Sequence, residues 1–204
     1  MSDAFHMRLF VAIELGAEVL REAAALVAEL RRRVDRGTRN ARLTWVTPDR
    51  MHLTLRFLGE VSDERASDVL GALRDAIPME PFAVAWEGLG VFPPKGPPRV
   101  VWVAAGRGRD SVLELEKAVS DRLEPLGIER EARPYAPHLT LARVREAGGL
   151  RPIPLFEGIA GQSIGTTNVD AITLFQSQLS PKGPTYVELQ RTPLVGPAEA
   201  GPYN

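Results

Sequence analysis

Two histidines in this sequence, His52 and His138, begin the same tetrapeptide, His-Leu-Thr-Leu. Alternate residues of a β-strand point to the same face. Each histidine would therefore share a face with the threonine of its motif, Thr54 or Thr140, while the leucines anchor the opposite face. Imidazole exchanges protons near neutral pH, and a hydroxyl group donates hydrogen bonds. The repeated motif thus predicts a site with two proton-transfer groups and two hydroxyl donors.

Two imidazoles that face one cleft suit the cleavage of a phosphodiester without a metal ion. The neutral ring accepts a proton from water, and the protonated ring donates a proton to the leaving oxygen. The threonine hydroxyls can stabilise charge on the non-bridging phosphate oxygens. Strand alternation places Arg56 on the face of Thr54, so we expect a contact between its guanidinium and the phosphate. Phe57 and Tyr135 lie close to the motifs and are candidates for stacking on a nucleobase.

The elements that carry these motifs occur in the same order twice. In the first half we predict strands at 8–15, 42–46, 51–58 and 82–89, a helix over 17–34, and a second helix that starts at Ser62 and stops at Pro78. The Pro-rich segment 92–98 is read as a loop that joins two halves. In the second half we predict strands at 99–105, 137–144, 170–176 and 185–190. A capping box at Ser111 and Glu114 predicts the start of the remaining helix.

The offset between corresponding positions is 91 residues from Arg8 to Arg99 and 86 residues from His52 to His138. This agreement indicates a duplication with a pseudo-two-fold arrangement. Strands and helices without regular βαβ spacing favour an α+β fold. We treat 1–204 as a single domain, with halves of about 8–92 and 99–191 and a disordered tail at 196–204.

The chain has 204 residues, of which 44% are hydrophobic, and a net charge of −1. This size can bury a sizeable core, and the charge excludes a polycation. The absence of cysteine excludes disulfides and thiolate metal sites. The two motif histidines have no spacing typical of a zinc site, so we expect neither metal nor cofactor. No apolar segment is long enough to cross a bilayer, and we expect a cytoplasmic monomer with no membrane partner.

The sequence resembles the RNA 2′,3′-cyclic phosphodiesterases of the two-histidine phosphoesterase superfamily, also called LigT or 2′-5′ RNA ligases. The resemblance rests on segments that cover nearly all of residues 8–191. These are RLFVAIEL, MHLTLRFLGEV, FPPKGPPRVVWV, RPYAPHLTLARV and SQLSPKGPTYVEL. It implies a bilobal α+β fold of duplicated βαβαβ units, with mainly antiparallel sheets around a central cleft.

The resemblance also implies the reaction, in which an RNA-type terminal 2′,3′-cyclic phosphate is hydrolysed to a 2′-phosphate. In this family the first motif histidine donates a proton to O3′ and the second activates water, so the roles fall to His52 and His138. A basic residue after the second motif, here Arg143, would bind phosphate. Strand alternation puts Arg143 on the face opposite His138, so this role requires a bulge or a strand end. Weak 2′-5′ joining of RNA ends is implied as the reversal of this chemistry.

Two other functions remain open at this point. One is a phosphodiesterase for another small cyclic phosphate, such as a nucleotide or an ADP-ribose derivative. The other is an RNA end-binding module with little turnover, against which the paired histidines argue. A G-x-S-x-G pattern at 161–165 does not indicate a serine hydrolase, because no histidine follows it in the chain. We read that segment as a glycine-flanked loop.

Overall fold

The computed structural model of the protein describes residues 6–38, 40–181 and 183–196. These residues form two five-stranded sheets covered by helices. The strands are β1 His6–Ile13, β2 Arg42–Trp45, β3 Leu53–Ser62, β4 Ile77–Pro78, β5 Phe82–Phe92, β6 Val100–Ala105, β7 His138–Glu146, β8 Ser163–Val169, β9 Ala171–Ser180 and β10 Gly183–Val195. The α-helices are α1 Ala17–Gly37, α2 Asp63–Ala72, α3 Arg109–Leu123 and α4 Pro152–Phe156. Short 3-10 turns occupy Pro48–Arg50 and Glu124–Leu126.

The first sheet has the strand order β3-β1-β9-β10-β4 and the second has the order β2-β7-β6-β5-β8. Neighbouring strands are antiparallel except β10 and β4, which run parallel. This arrangement confirms the α+β class and the mainly antiparallel sheets. The four strands β3-β1-β9-β10 correspond to β7-β6-β5-β8, so the duplication expected from the motifs is visible in the topology.

The two sheets do not follow the two halves of the sequence. Strands β9 and β10 from the second half complete the first sheet, and β5 from the first half lies inside the second sheet. Each sheet therefore combines strands from both sequence halves, 8–92 and 99–191. The reason is local, because the Pro-rich loop makes β5 and β6 an antiparallel hairpin. Phe92 pairs with Val100, and the Arg99 amide donates to the Phe92 carbonyl at 2.7 Å.

The helices bury the apolar stripes that the 3.6-residue period predicts. The buried residues of α1 are Val19, Ala23, Leu26, Leu30 and Val34. This helix follows β1 of the first sheet but packs against β7 and β8 of the second. Conversely, α3 follows β6 of the second sheet and contacts β3 of the first as well as β5. Because each of these helices packs against strands of the other sheet, both sheets contribute to one apolar core.

Several element boundaries differ from the sequence expectations. Helix α2 is capped by the Ser62 side chain as expected, but it ends at Ala72, and Pro78 belongs to the short strand β4. Helix α3 begins at Arg109 after Gly108, whose φ of 87° lies in the left-handed region, so Ser111 and Glu114 do not form the capping box. Residues Ser163–Val169, which include most of the segment read as a loop, form strand β8.

The expected tail at 196–204 lies, beyond Gly196, outside the described residues. Within the described ranges, none of the helices combines the length and the apolar character required to cross a bilayer.

Candidate active site

Both motifs lie at the start of a strand, and both show the alternation expected from the sequence. Leu53 and Leu55 of the first motif are buried, whereas His52 and Thr54 are only half-buried. In the second motif, Leu139 and Leu141 are fully buried, while His138 and Thr140 are half-buried. In each motif, the polar pair therefore occupies the face of the strand that is turned away from the leucine core.

A β-bulge follows the threonine in each motif. In the first, Thr54 pairs with Ala12 and Arg56 pairs with Val11, so Leu55 has no opposite residue. A bulge of this kind inserts one residue and reverses the alternation beyond it. Arg56 consequently turns into the core at 4% exposure, and Phe57 turns outward at 56% exposure.

The second motif has the equivalent bulge at Leu141. Thr140 pairs with Trp102, and Ala142 pairs with Val101. Ala142 is therefore buried, and Arg143 is exposed on the face of His138 and Thr140. A role for Arg143 in the site required a bulge or a strand end, and this bulge turns Arg143 to the face of His138.

The expectation that Arg56 shares the face of Thr54 is wrong. The Arg56 guanidinium donates to the backbone carbonyl of Glu129, and its Nη1 lies 4.0 Å from the Glu116 carboxylate on α3. Strand alternation failed here because the bulge at Leu55 was not recognised in the sequence. Arg56 is thus an internal anchor of the fold rather than a surface group available to a phosphate.

Arg143 acts electrostatically on both motif histidines. Its positive charge contributes to lowering the pKa of His52 and of His138, in each case after the larger effect of burial. Burial raises the pKa of the Tyr186 hydroxyl, and the positive charge of Arg143 partly opposes this rise. The charge of one side chain therefore affects the pKa of both imidazoles, although the two histidines are 86 residues apart in the sequence.

Aromatic rings surround His52. The imidazole stacks on Phe10 at a centroid distance of 4.7 Å, and the Tyr186 ring meets it edge-on at 5.1 Å. Phe10 in turn stacks on Phe175, with their ring centroids 5.3 Å apart. Burial among these rings lowers the pKa of His52 to about 4, although a backbone hydrogen bond with Arg50 opposes the shift.

Phe92 and Trp102 form the corresponding surroundings of His138. Phe92 meets the imidazole edge-on at 5.0 Å, and the Trp102 ring lies 6.3 Å away. Burial lowers the pKa of His138 as well. Its Nδ1 lies 2.7 Å from the Ala136 carbonyl. Because a carbonyl oxygen can only accept, Nδ1 carries the hydrogen, and Nε2 of the neutral ring is the nitrogen able to take up a proton.

These aromatic neighbours were not among the residues predicted for the site. Phe10, Phe175 and Tyr186 come from three strands that are distant in sequence and become adjacent only when β9 and β10 join β1. The alternation in β1 puts Phe10 on the polar face between Arg8 and Ala12, and this is the signal that could have revealed it.

Tyr135 and Phe57, the two residues expected near a base, have different surroundings. The Tyr135 hydroxyl donates to the Thr54 carbonyl at 2.8 Å, so the segment before the second motif is tied to the first motif. The Phe57 ring is exposed, with its centroid 6.1 Å from that of Phe10. Of the two residues, only Phe57 offers a largely open ring face next to the site.

Known proteins are similar to this chain in sequence and in fold. The family model for LigT like phosphoesterases matches residues 18–102 and residues 104–186. A relative from Thermus thermophilus, named RNA 2′,3′-cyclic phosphodiesterase, is 36% identical over 197 residues, covering 93% of this chain and 91% of the relative. A relative of the same name from Archaeoglobus fulgidus is 32% identical over 184 residues, covering 90% and 98%.

Solved structures agree with the sequence matches. The crystal structure of TT0787 of Thermus thermophilus superposes with a TM-score of 0.73 at 33% identity, covering 94% of this chain and all of that one. E. coli LigT complexed with 3′-AMP gives a TM-score of 0.70 at 28% identity, covering 93% and 99%. With both halves of the chain matched and the fold shared, this protein belongs to the LigT-like phosphoesterase family.

Proposed function

We propose that this protein hydrolyses RNA-type terminal 2′,3′-cyclic phosphates to 2′-phosphate ends, with His52 and His138 as its proton-transfer groups. The observation that carries the proposal is the matched geometry of the two motifs: each His-Thr pair lies on the face of its strand turned away from the leucine core, just before a β-bulge, and the two motif strands contact each other. Arg143, on the face of His138 and Thr140, supplies a positive charge for an anionic group. The names of the Thermus thermophilus and Archaeoglobus fulgidus relatives support the same substrate class.

In the proposed reaction, water attacks the phosphorus while His138 Nε2 accepts its proton. The bond between phosphorus and O3′ breaks, and the proton of His52 passes to O3′. The product has a 2′-phosphate and a free 3′-hydroxyl, and exchange of protons with solvent restores both rings. The order of the two roles follows the family resemblance. If a 5′-hydroxyl replaces water, the same displacement forms a 2′-5′ bond, which is the weak joining reaction.

The lowered pKa values determine when the acid becomes protonated. With a pKa of about 4, His52 is neutral at pH 7 in the free protein. A bound cyclic phosphate carries a negative charge, which favours imidazolium and opposes the effect of Arg143. The proton that His52 donates is therefore acquired in the substrate complex, and the pH optimum of kcat should lie above that of kcat/KM.

Thr54, Thr140 and Arg143 provide the proposed phosphate contacts. The two hydroxyls can each donate a hydrogen bond to a non-bridging oxygen, and the guanidinium can donate two. These donors and a positive charge stabilise the developing negative charge without a metal ion, so we propose a reaction that is insensitive to chelators. Phe57, with its exposed ring, is the proposed stacking contact for a base next to the reacting phosphate.

The experiment that tests this function is incubation with a 2′,3′-cyclic mononucleotide in the presence of EDTA, followed by 31P NMR of the product. We expect a nucleoside 2′-phosphate at an undiminished rate. A 3′-phosphate would contradict the proposed leaving group, and loss of activity in EDTA would contradict the metal-independent mechanism. A panel that includes cyclic phosphates of other nucleotides and of ADP-ribose separates the RNA-type substrate from other small cyclic phosphates.

A further inference from the structure

The two motif strands differ in how their outer edges are covered. Strand β7 lies inside the second sheet, where β2 pairs with its outer edge, and the Val46 amide donates to the carbonyl of the bulge residue Leu141 at 2.9 Å. Strand β3 is the edge strand of the first sheet. A bulge disrupts the ladder, and an uncovered edge leaves backbone groups without partners. The outer edge of β3 therefore needs another source of hydrogen bonds beside its bulge.

The irregular segment 127–137, which leads into β7, makes hydrogen bonds with β3 on both sides of the bulge. Its Tyr135 hydroxyl donates to the carbonyl of Thr54, the residue just before the bulge of β3. Arg56, the residue just after that bulge, donates to the carbonyl of Glu129 in the same segment. The bulge of the first motif is thus bracketed by two hydrogen bonds to the segment that ends at the second motif histidine.

Arg56 is itself held from the other side. Its guanidinium, 4% exposed, faces the Glu116 carboxylate of α3, and that carboxylate accepts a hydrogen bond from Ser120 at 2.7 Å. A buried cation is retained only where carboxylate and carbonyl oxygens replace its hydration. The anchor is therefore fixed between a helix and the 127–137 segment, and it cannot follow a displacement of β3 without losing partners.

We propose that Tyr135, supported by Arg56, is a positioning residue that sets the separation and orientation of His52 relative to His138. This inference rests on the proposed function, because it concerns the geometry in which both imidazoles reach one phosphate. Tyr135 lies three residues before His138 and bonds the backbone two residues after His52. A shift of about 1 Å between reacting groups can cost a factor of about 100 in rate.

The test compares Tyr135→Phe with Thr192→Val. Both variants remove one hydroxyl that donates to a backbone carbonyl, in a part-buried bond for Tyr135 and a buried bond for Thr192. The bond of Thr192 goes to Leu73, away from the motif strands. We expect similar losses of thermal stability in the two variants. We expect kcat to fall by about 10- to 100-fold only in Tyr135→Phe, with KM changed less than about threefold. Arg56→Lys, which keeps the charge but shortens the reach to Glu129, should show the same pattern.

A second readout does not depend on turnover. Burial lowers the pKa of His52, so a loosened site that admits water should bring this pKa back towards 6.5 in Tyr135→Phe and not in Thr192→Val. NMR titration of the imidazole resonances measures it. Unchanged kcat and unchanged His52 titration in both Tyr135→Phe and Arg56→Lys would overturn the positioning role. A wild-type protein without turnover, but with the titration shift in Tyr135→Phe, would overturn the proposed function alone.

Discussion

Phe57 and Arg143 occupy equivalent positions, each five residues after the histidine of its motif and each turned outward by the bulge before it. One position carries an aromatic ring and the other a positive charge. Two nearly identical motifs therefore form an asymmetric site, in which the second motif supplies the cation. This asymmetry distinguishes the two motifs, although their His-Leu-Thr-Leu tetrapeptides are identical.

Replacing Arg143 by Gln should raise the pKa of both His52 and His138, because the guanidinium contributes to lowering both. We expect the optimum of kcat/KM to move to higher pH and kcat/KM to fall by about 100-fold through loss of the charged phosphate contact. The pH profile of cyclic nucleotide hydrolysis measures both effects. Arg145→Gln, on an exposed arginine of the same strand, is the control. An unshifted profile in Arg143→Gln would contradict the role of its charge.

Protonation of His52 should destabilise the folded protein. Its pKa is about 4 in the folded state and about 6.5 in an unfolded chain, so the unfolded state binds the proton more tightly. The stabilisation is fully present above pH 6.5 and is lost as the pH falls towards 4, by up to about 3 kcal/mol.

Urea unfolding between pH 7 and pH 4 measures this loss. His52→Gln should flatten the dependence, and His138 should account for part of what remains, since burial lowers its pKa in the same direction. His6→Gln serves as the control. An equally steep dependence in His52→Gln and in the wild type would exclude His52 as the source.

Gly90 allows the Trp102 ring to lie across β5. A Cβ at residue 90 would come within 2.2 Å of two carbon atoms of that ring. Gly90→Ala should therefore cost about 1–3 kcal/mol of unfolding free energy and displace Trp102 from its place beside His138. Gly71→Ala is the matched control, because a Cβ in this helical position meets open space and should be neutral or stabilising by about 0.5–1 kcal/mol. Equal stabilities of the two variants would contradict the close packing of Trp102 against Gly90.

The threonine hydroxyls should matter for phosphate and not for folding. Thr54→Val and Thr140→Val keep the shape of the side chain and suit a strand. We expect each to lower kcat/KM by about 10- to 100-fold, because a hydrogen bond to a charged group contributes about 1.5–3 kcal/mol. Thr185→Val, at an exposed position of β10, is the control. Steady-state kinetics and melting temperatures separate an effect on phosphate binding from an effect on folding stability. An unchanged kcat/KM in both motif variants would show that the threonine hydroxyls do not contact the phosphate.

The local part of this structure follows from the sequence. Alternation placed His52 and Thr54 on one face, and the apolar period located α1 and α3. Strand alternation could not predict the bulge after each threonine, because Leu55 and Leu141 resemble ordinary core positions. The error at Arg56 and the conflict over Arg143 both arise from that one inserted residue.

The sequence also could not predict that β9 and β10 join the first sheet while β5 joins the second. This exchange of strands depends on β5 pairing with β6 across the Pro-rich loop and on β9 pairing with β1, contacts that no local pattern specifies. The aromatic surroundings of His52 follow from that exchange, since Phe175 and Tyr186 arrive on β9 and β10. Their effect on the His52 pKa was therefore invisible in a single sequence.

The central claim is that His52 and His138 act together on one phosphate. The most direct measurement is the hydrolysis rate of a 2′,3′-cyclic mononucleotide by His52→Ala, His138→Ala and the double variant, with His6→Ala as the control. We expect each single variant to lose a factor of about 100 to 10,000 in kcat, and the double variant to lose little more, because the two groups serve one step. Retention of wild-type turnover by either single variant would contradict the account.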